Sequence, residues 1–262
     1  MRIRGLRYLT RLISFLTWCA VGSVARYVVP APFLYCHSCP LALGICPIGA
    51  IQYALTMGRV PLLPVGALLL YGTLLGRAYC GLMCPIGALQ DALHWLGRRL
   101  GISSERVRRV LSSIPYWVAP VVSIVLTVVL PPILGTLVFC YICISGFLLA
   151  GIPWRVILGE LGIGLSFLIH LVVFVTFAIL ALLGGRFWCR LLCPFSVLGL
   201  CNSVRLFLRL KVDYGRCTKC LRCLGMCPMS IGAVEDVGTS PHCISCLLCS
   251  EVCPQKAVVI EM

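Results

Sequence analysis

Residues 217–254 carry one cysteine pattern twice. It runs Cys217-x2-Cys220-x2-Cys223-x3-Cys227-Pro228, then Cys243-x2-Cys246-x2-Cys249-x3-Cys253-Pro254. This spacing wraps a [4Fe–4S] cluster, and the tandem is the bacterial two-cluster arrangement. Three thiolates in one short loop reach three irons of a cubane. The fourth cysteine, just before the proline, is carried by the chain to the other cluster. Cys217, Cys220, Cys223 and Cys253 are therefore expected at one cluster, and Cys243, Cys246, Cys249 and Cys227 at the second. Zinc sites favour two CxxC pairs set well apart, and disulfides between residues three apart on tight turns are strained. The alternation in Leu210-Lys211-Val212-Asp213 predicts a strand, with Ala257-Val258-Val259-Ile260 as its closing partner.

The rest of the chain has a membrane composition. Of 262 residues, 60% are hydrophobic and only 11% charged. The formal net charge of +14 does not point to nucleic acid, because the basic residues flank apolar spans instead of forming one stripe. Thiolate-ligated clusters also carry negative charge that offsets part of it. Nineteen cysteines suit metal ligation better than a disulfide scaffold, since eight lie in the tandem pattern.

Four apolar stretches, roughly 12–30, 60–79, 114–138 and 156–183, are long enough to span a bilayer, for which a helix needs ~20 residues. Nineteen of the 22 Lys and Arg fall before the first span, between the second and third, or after the fourth. Only Arg26, Arg59 and Arg155 fall on the other side. That asymmetry predicts a multi-pass plasma-membrane protein with both termini cytoplasmic. A signal peptide cleaved after Ser23-Val24-Ala25 is the alternative for the first span, but it would spoil this pattern.

A repeat emerges once the spans are placed. Cys36-x2-Cys39 follows the first span, and Cys80-x3-Cys84-Pro85 the second. Cys140-x2-Cys143 follows the third, and Cys189-x3-Cys193-Pro194 the fourth. Gly76-Arg77-Ala78-Tyr79-Cys80 parallels Gly185-Arg186-Phe187-Trp188-Cys189. Parallel repeats imply a pseudo-two-fold axis along the membrane normal. A proline-started helix offers free N–H groups and partial positive charge to a thiolate. Cys80, Cys84, Cys189 and Cys193 would then supply one inner site, for an iron–sulfur cluster or another thiolate-bound metal. The same symmetry places Cys36, Cys39, Cys140 and Cys143 at an outer site. Cys46-Pro47-Ile48-Gly49-Ala50 copies Cys84-Pro85-Ile86-Gly87-Ala88, making Cys46 a further candidate ligand. Cys19 and Cys201 read as packing residues.

The stretches 41–57 and 141–153 are apolar but short, and read as re-entrant segments. Ile86, Leu89, Leu93, Leu96 and Leu100 predict an amphipathic interfacial helix, as do Val197, Cys201, Val204 and Leu208. No histidine pair has haem-ligating spacing. His170 and His94 read as packing or hydrogen-bonding residues, His37 as a neighbour of the outer site, and His242 as exposed. Glu160 is the one acid within the spans.

With its paired Cx3CP motifs and tandem cysteine loops, the chain resembles the NapH/NosR/MauN-like family of polytopic polyferredoxins over most of residues 36–254. That resemblance implies a quinol-linked electron-transfer subunit working with redox partner proteins, not a self-contained enzyme. Relatives with similar motifs imply an alternative, thiolate-based copper binding or reduction with the ferredoxin as electron source. The expected fold is a mostly α membrane protein with four transmembrane helices in two pseudo-symmetric repeats, residues 1–111 and 112–209. Re-entrant and interfacial helices and a small α+β two-cluster ferredoxin domain, 210–262, complete it. The expected cofactors are two [4Fe–4S] clusters, with one or two further clusters or another thiolate-bound metal in the membrane part. The expected partners are a redox protein or complex, quinone and membrane lipid, and no nucleic acid.

Overall fold

A computed structural model of the chain describes residues 3–20, 29–30, 32, 36, 44–153 and 164–261. It is mostly helical. Cys39, His37 and Glu160 lie outside the described residues.

The first helix, α1 (Ile3–Ala20), is inverted relative to a soluble amphipathic helix. Arg7, Arg11 and Ser14, spaced on one face, are buried, while Leu9, Leu12, Ile13 and Leu16 are exposed. A polar stripe turned inward and an apolar face turned outward suit a helix whose outer surroundings are not water. Of the expected first span, 12–30, residues 12–20 form the second half of α1, and 21–28 lie outside the described residues.

Next come β1 (Val29–Pro30) and β2 (Gly44–Ile45), a short parallel pair. Then follow α2 (Pro47–Thr56) and α3 (Leu62–Leu75). The second expected span, 60–79, shortens to the 14 residues of α3, about 21 Å at 1.5 Å per residue. Gly76, with φ 56°, stops it. The stop is used: Arg77 N–H donates to Asn202 Oδ1 at 3.0 Å. The short α4 (Ala78–Leu82) leads into α5 (Pro85–Arg99), which forms the helix expected from Ile86, Leu89, Leu93, Leu96 and Leu100. Cys84 caps α5, its sulfur accepting from Gly87 N–H at 3.5 Å.

Ser104 caps α6 (Glu105–Ser113) and accepts from Val107 N–H. It is followed at a 72° bend by α7 (Val118–Leu134), which contains a π turn over Val125–Val129. The expected re-entrant stretch 141–153 begins with α8 (Val138–Ile142) and α9 (Ile144–Gly146), continuing into a π turn over Phe147–Gly151. The long α10 (Leu165–Gly184) ends at Gly185, φ 83°, the counterpart of Gly76. Within α10, Phe167–Gly184 is the one helix among the described residues long and apolar enough to cross a membrane. The bent pair α6–α7 is a second only if it counts as one span. Four full-length crossings are therefore not what the described helices present.

α10 lies so close to α5 that a Cβ at Gly97 would fall 2.2 Å from Leu182 O. After α11 (Phe187–Leu191) the chain turns into a 3-10 helix, Pro194–Asn202. The expected second amphipathic helix, through Leu208, is corrected here. Leu206 and Phe207 N–H groups donate to Thr73 and Leu74 carbonyls at the end of α3 instead of continuing a helix.

The C-terminal part contains β3 (Arg209–Val212), α12 (Arg222–Gly225), α13 (Leu248–Val252) and β4 (Val258–Glu261). β3 and β4 pair antiparallel with Leu210 opposite Ile260, in agreement with the expected strands.

Candidate iron–sulfur centres

Two small, cysteine-lined pockets lie inside the C-terminal part. One is lined by Cys217, Cys220, Cys223 and Cys253, with Val212, Val234 and Val258 as apolar wall. The other is lined by Cys227, Cys243, Cys246 and Cys249, with Leu210, Ile231 and Val237. The structure thus brings together the two quartets that the spacing pairs, including the exchange of Cys227 and Cys253 between loops. Cys223 lines both cavities. Sharp loops make this possible: Lys219, Leu221, Ser245 and Leu247 all adopt positive φ. Burial pushes the Cys227 thiol up to about 12. The exposed Cys220 is lowered, chiefly by the backbone N–H of Arg222.

The inner quartet is also assembled. Cys80, Cys84, Cys189 and Cys193 are all buried, none is in a disulfide, and each of Cys80, Cys84 and Cys193 lies within electrostatic range of Cys189. The two halves hold each other reciprocally. Arg77 Nη2 donates to Cys189 O at 2.9 Å, and Arg186 Nη1 donates to Cys80 O at 2.8 Å. Gln90 is fully buried; its Nε2 donates to Cys189 Sγ at 3.4 Å and its Oε1 accepts from Trp188 N–H at 3.2 Å. Burial pushes the Cys84 thiol up to about 12.

Of the outer candidates, Cys140 and Cys143 lie within electrostatic range of both Cys36 and Cys46. Cys46 and Cys143 are buried and Cys36 is half-buried against the same core. Gln52, also fully buried, donates from Nε2 to Cys140 Sγ at 3.7 Å and accepts Phe139 N–H at 2.9 Å.

Buried cations surround these cysteines. Arg77, Arg186, Arg190 and Arg205 are each at most 4% exposed. Arg186 pairs with Asp91 through two contacts of 2.7 and 2.8 Å, and Asp91 also takes Arg11 at 2.9 Å and Arg7 at 3.1 Å. Burial alone would push the Asp91 carboxyl up, but Arg186, Arg11 and Arg7 together hold it well below the usual carboxylate range. Among the described residues no carboxylate pairs with Arg77, Arg190 or Arg205. Their guanidiniums bond to carbonyls and a hydroxyl: Arg77 to Pro241 O, Arg190 to Met229 O and Ser112 O, Arg205 to Ser245 Oγ. Their Nε groups find no partner. Uncompensated buried charge is costly. Arg77 faces Cys80, Arg190 faces Cys227 and Arg205 faces Cys243. Anionic thiolate-ligated clusters are the groups that this donor set and this charge fit.

The C-terminal part sits directly on the inner quartet. A Cβ at Gly81, between Cys80 and Cys84, would fall 2.2 Å from Ile244 O and 3.2 Å from Cys246 Cα. Asn202 ties the same loop down, donating to Ser240 O at 2.9 Å and Cys243 O at 2.7 Å. His242, expected to be exposed, is half-buried edge-on against Tyr116, and burial first, then Arg190 and Arg77, lower it to about 4.

Residues 56–103 and 167–199 match a family described as a 4Fe-4S binding domain. Those two stretches contain the inner cysteines of both halves. An uncharacterized protein of Methanocaldococcus jannaschii is 27% identical over 73% of this chain and 76% of its own length. The methylamine utilization ferredoxin-type protein MauN of Methylorubrum extorquens is 27% identical over 71% of this chain and 62% of its own. The ferredoxin-type protein NapH of Haemophilus influenzae is 26% identical over 61% of this chain and 50% of its own. The chain is thus similar to ferredoxin-type iron–sulfur proteins of the NapH and MauN kind. It spans about half to two thirds of the length of these named relatives. No solved structure matches it. The structure adds residues that sequence spacing alone did not single out: Asp91, Gln52, Gln90, Gly81 and the buried arginines. Two signals were present. Arg77 and Arg186 stand in the parallel Gly-Arg-x-aromatic-Cys segments, and each glutamine follows a Cys-Pro-Ile-Gly-Ala motif.

Proposed function

We propose that this NapH/MauN-like chain passes single electrons between its C-terminal ferredoxin centres and a membrane-embedded centre held by Cys80, Cys84, Cys189 and Cys193, as a subunit of a quinone-linked oxidoreductase. The clusters supply the one-electron chemistry. The protein's part is to hold thiolates, exclude water and set local charge. One observation carries the reading: the Ile244–Cys246 loop lies against Gly81, inside the Cys80–Cys84 loop. With Cys223 shared by the two cavities, three sites form an unbroken series. Electrons enter at one end and leave at the other one at a time, with a two-electron quinol at the membrane end releasing two protons on full oxidation. The outward apolar faces of α1 and α10 and the Lys/Arg asymmetry support a multi-pass membrane protein with cytoplasmic termini. The reciprocal Arg77–Cys189 and Arg186–Cys80 bonds support two repeats over 1–111 and 112–209.

The alternative reading is thiolate-based copper binding or reduction at the same membrane cysteines, with the ferredoxin as electron source, since soft thiolates also suit Cu(I). The test is iron analysis and EPR on anaerobically purified protein. Cys80→Ser is expected to lose one centre's iron and signal while both ferredoxin signals remain. An unchanged iron content, or copper bound stoichiometrically at these cysteines, would refute the reading.

A further inference from the structure

Gln52 and Gln90 make the same two bonds at two different places. The segments Cys46–Gln52 and Cys84–Gln90 read CPIGAIQ and CPIGALQ. Cys46 and Cys84 each precede a helix that starts with proline, at φ −67°, ψ 112° and φ −68°, ψ 119°. Six residues on, each glutamine is fully buried. Each accepts the backbone N–H of an aromatic residue, Phe139 or Trp188, and donates to the sulfur of the cysteine that follows it, Cys140 or Cys189. The second cysteine of each pair then takes the same cap conformation, Cys143 at φ −75°, ψ 118° and Cys193 at φ −73°, ψ 119°. Cys46, Cys140 and Cys143 thus stand to Gln52 as Cys84, Cys189 and Cys193 stand to Gln90. The counterpart of Cys80 is Cys36, half-buried against the same core and within electrostatic range of Cys140 and Cys143.

We propose that Cys36, Cys46, Cys140 and Cys143 hold a further iron–sulfur cluster, and that Gln52 positions and tunes it through its N–H to the Cys140 sulfur. This rests on reading the inner quartet as an iron–sulfur site. It replaces Cys39, favoured by the CxxC spacing, with Cys46. The stretches matching the 4Fe-4S family, 56–103 and 167–199, contain none of the four.

An aromatic series links the two quartets. Trp188, next to Cys189, lies 6.0 Å edge-on from Phe177; Phe177 lies 6.3 Å from Phe174, and Phe174 5.2 Å from Phe147. Phe147 stacks 6.4 Å from His170, whose Nε2 is 3.1 Å from Cys140 O. His170 and Phe177 are seven residues apart on α10, about 10 Å of rise. The outer quartet is therefore well short of the ~30 Å core thickness from the inner one.

The test uses the full chain, purified anaerobically in detergent, with iron quantified and each centre followed by EPR-monitored redox titration. Four cubane centres give about 16 irons per chain. Cys46→Ser and Cys36→Ser are expected to lose about four, and Cys39→Ser none. Full iron in Cys46→Ser, or equal loss in Cys39→Ser, overturns the proposal. Gln52→Leu keeps its iron and shifts one centre to lower potential, because an N–H to sulfur favours the more negative reduced state. Should the cysteine variants not accumulate, an unchanged set of potentials in Gln52→Leu overturns it. Cys80→Ser separates the two claims: loss there without loss in Cys46→Ser removes only the outer centre, whereas no loss in Cys80→Ser removes the inner reading on which it rests.

Discussion

Replacing Asp91 by asparagine removes one negative charge and keeps the side chain's shape. Three guanidiniums converge on that carboxylate, with Arg186, Arg11 and Arg7 side chains 0%, 4% and 7% exposed. Breaking a buried ion pair from one side costs about 3–5 kcal/mol, which lowers the thermal midpoint by roughly 10 °C in a chain of this size. A second effect is electrostatic. Arg186 bridges Asp91 to the carbonyl of Cys80, so the lost charge is near the inner quartet. At about 10 Å and an effective dielectric of about 20, one charge contributes about 1.7 kcal/mol. At about 2.3 kcal/mol per 100 mV, that raises a one-electron potential by roughly 70 mV. Dye-mediated titration followed by EPR reads the shift, and calorimetry the midpoint. The inner centre should move upward and the first ferredoxin centre, Cys217–Cys253, much less. A potential that stays or falls, with an unchanged midpoint, would refute this account of the cation cluster. The pH dependence has a defined sign. Asp91 is held below its unfolded value, so its contribution is complete above about pH 4. It is lost as pH falls further, and the difference between wild type and Asp91→Asn should shrink there.

Gly81→Ala forces a Cβ to within 2.2 Å of Ile244 O. The C-terminal loop must shift, and stopped-flow reduction of the inner centre through the ferredoxin centres should slow while both ends keep their signals. Cys253→Ser should remove the centre built on the first loop, and Cys227→Ser the centre built on the second; EPR of the two variants would show the reverse if the fourth cysteine stayed with its own loop. Arg190→Gln removes an unpaired cation facing Cys227 and should lower the potential of the second ferredoxin centre, read in the same titration. Because burial holds the Cys84 and Cys227 thiols near 12, reconstitution of apoprotein at pH 7 should release about one proton per thiol from such sites, measurable in weakly buffered solution.

The tandem loops were legible in sequence because their chemistry is local. Three cysteines on one tight turn and a fourth held by proline leave few arrangements, and β3 opposite β4 closes the unit. The inner quartet was legible through repetition, since Gly-Arg-x-aromatic-Cys marks the same turn after α3 and after α10. Other features depended on tertiary packing. Arg7 and Arg11 read as charges flanking a span, but Asp91, eighty residues later, draws them inward. The helix expected through Leu208 gives way because Leu206 and Phe207 find better-placed acceptors at the end of α3. Of the outer set, the copied CPIGA segment marked Cys46, which stands within electrostatic range of Cys140, while Cys39 lies outside the described residues.

The unpaired guanidiniums of Arg77, Arg190 and Arg205 also bear on how such a chain matures. Each is enclosed among carbonyls with no carboxylate partner among the described residues, and leaving charge in that state costs several kcal/mol. Iron delivery and folding are then one event: a copy lacking its clusters carries repelling cations at its centre and is open to proteolysis, so cellular abundance of the protein should track iron supply even when its synthesis does not.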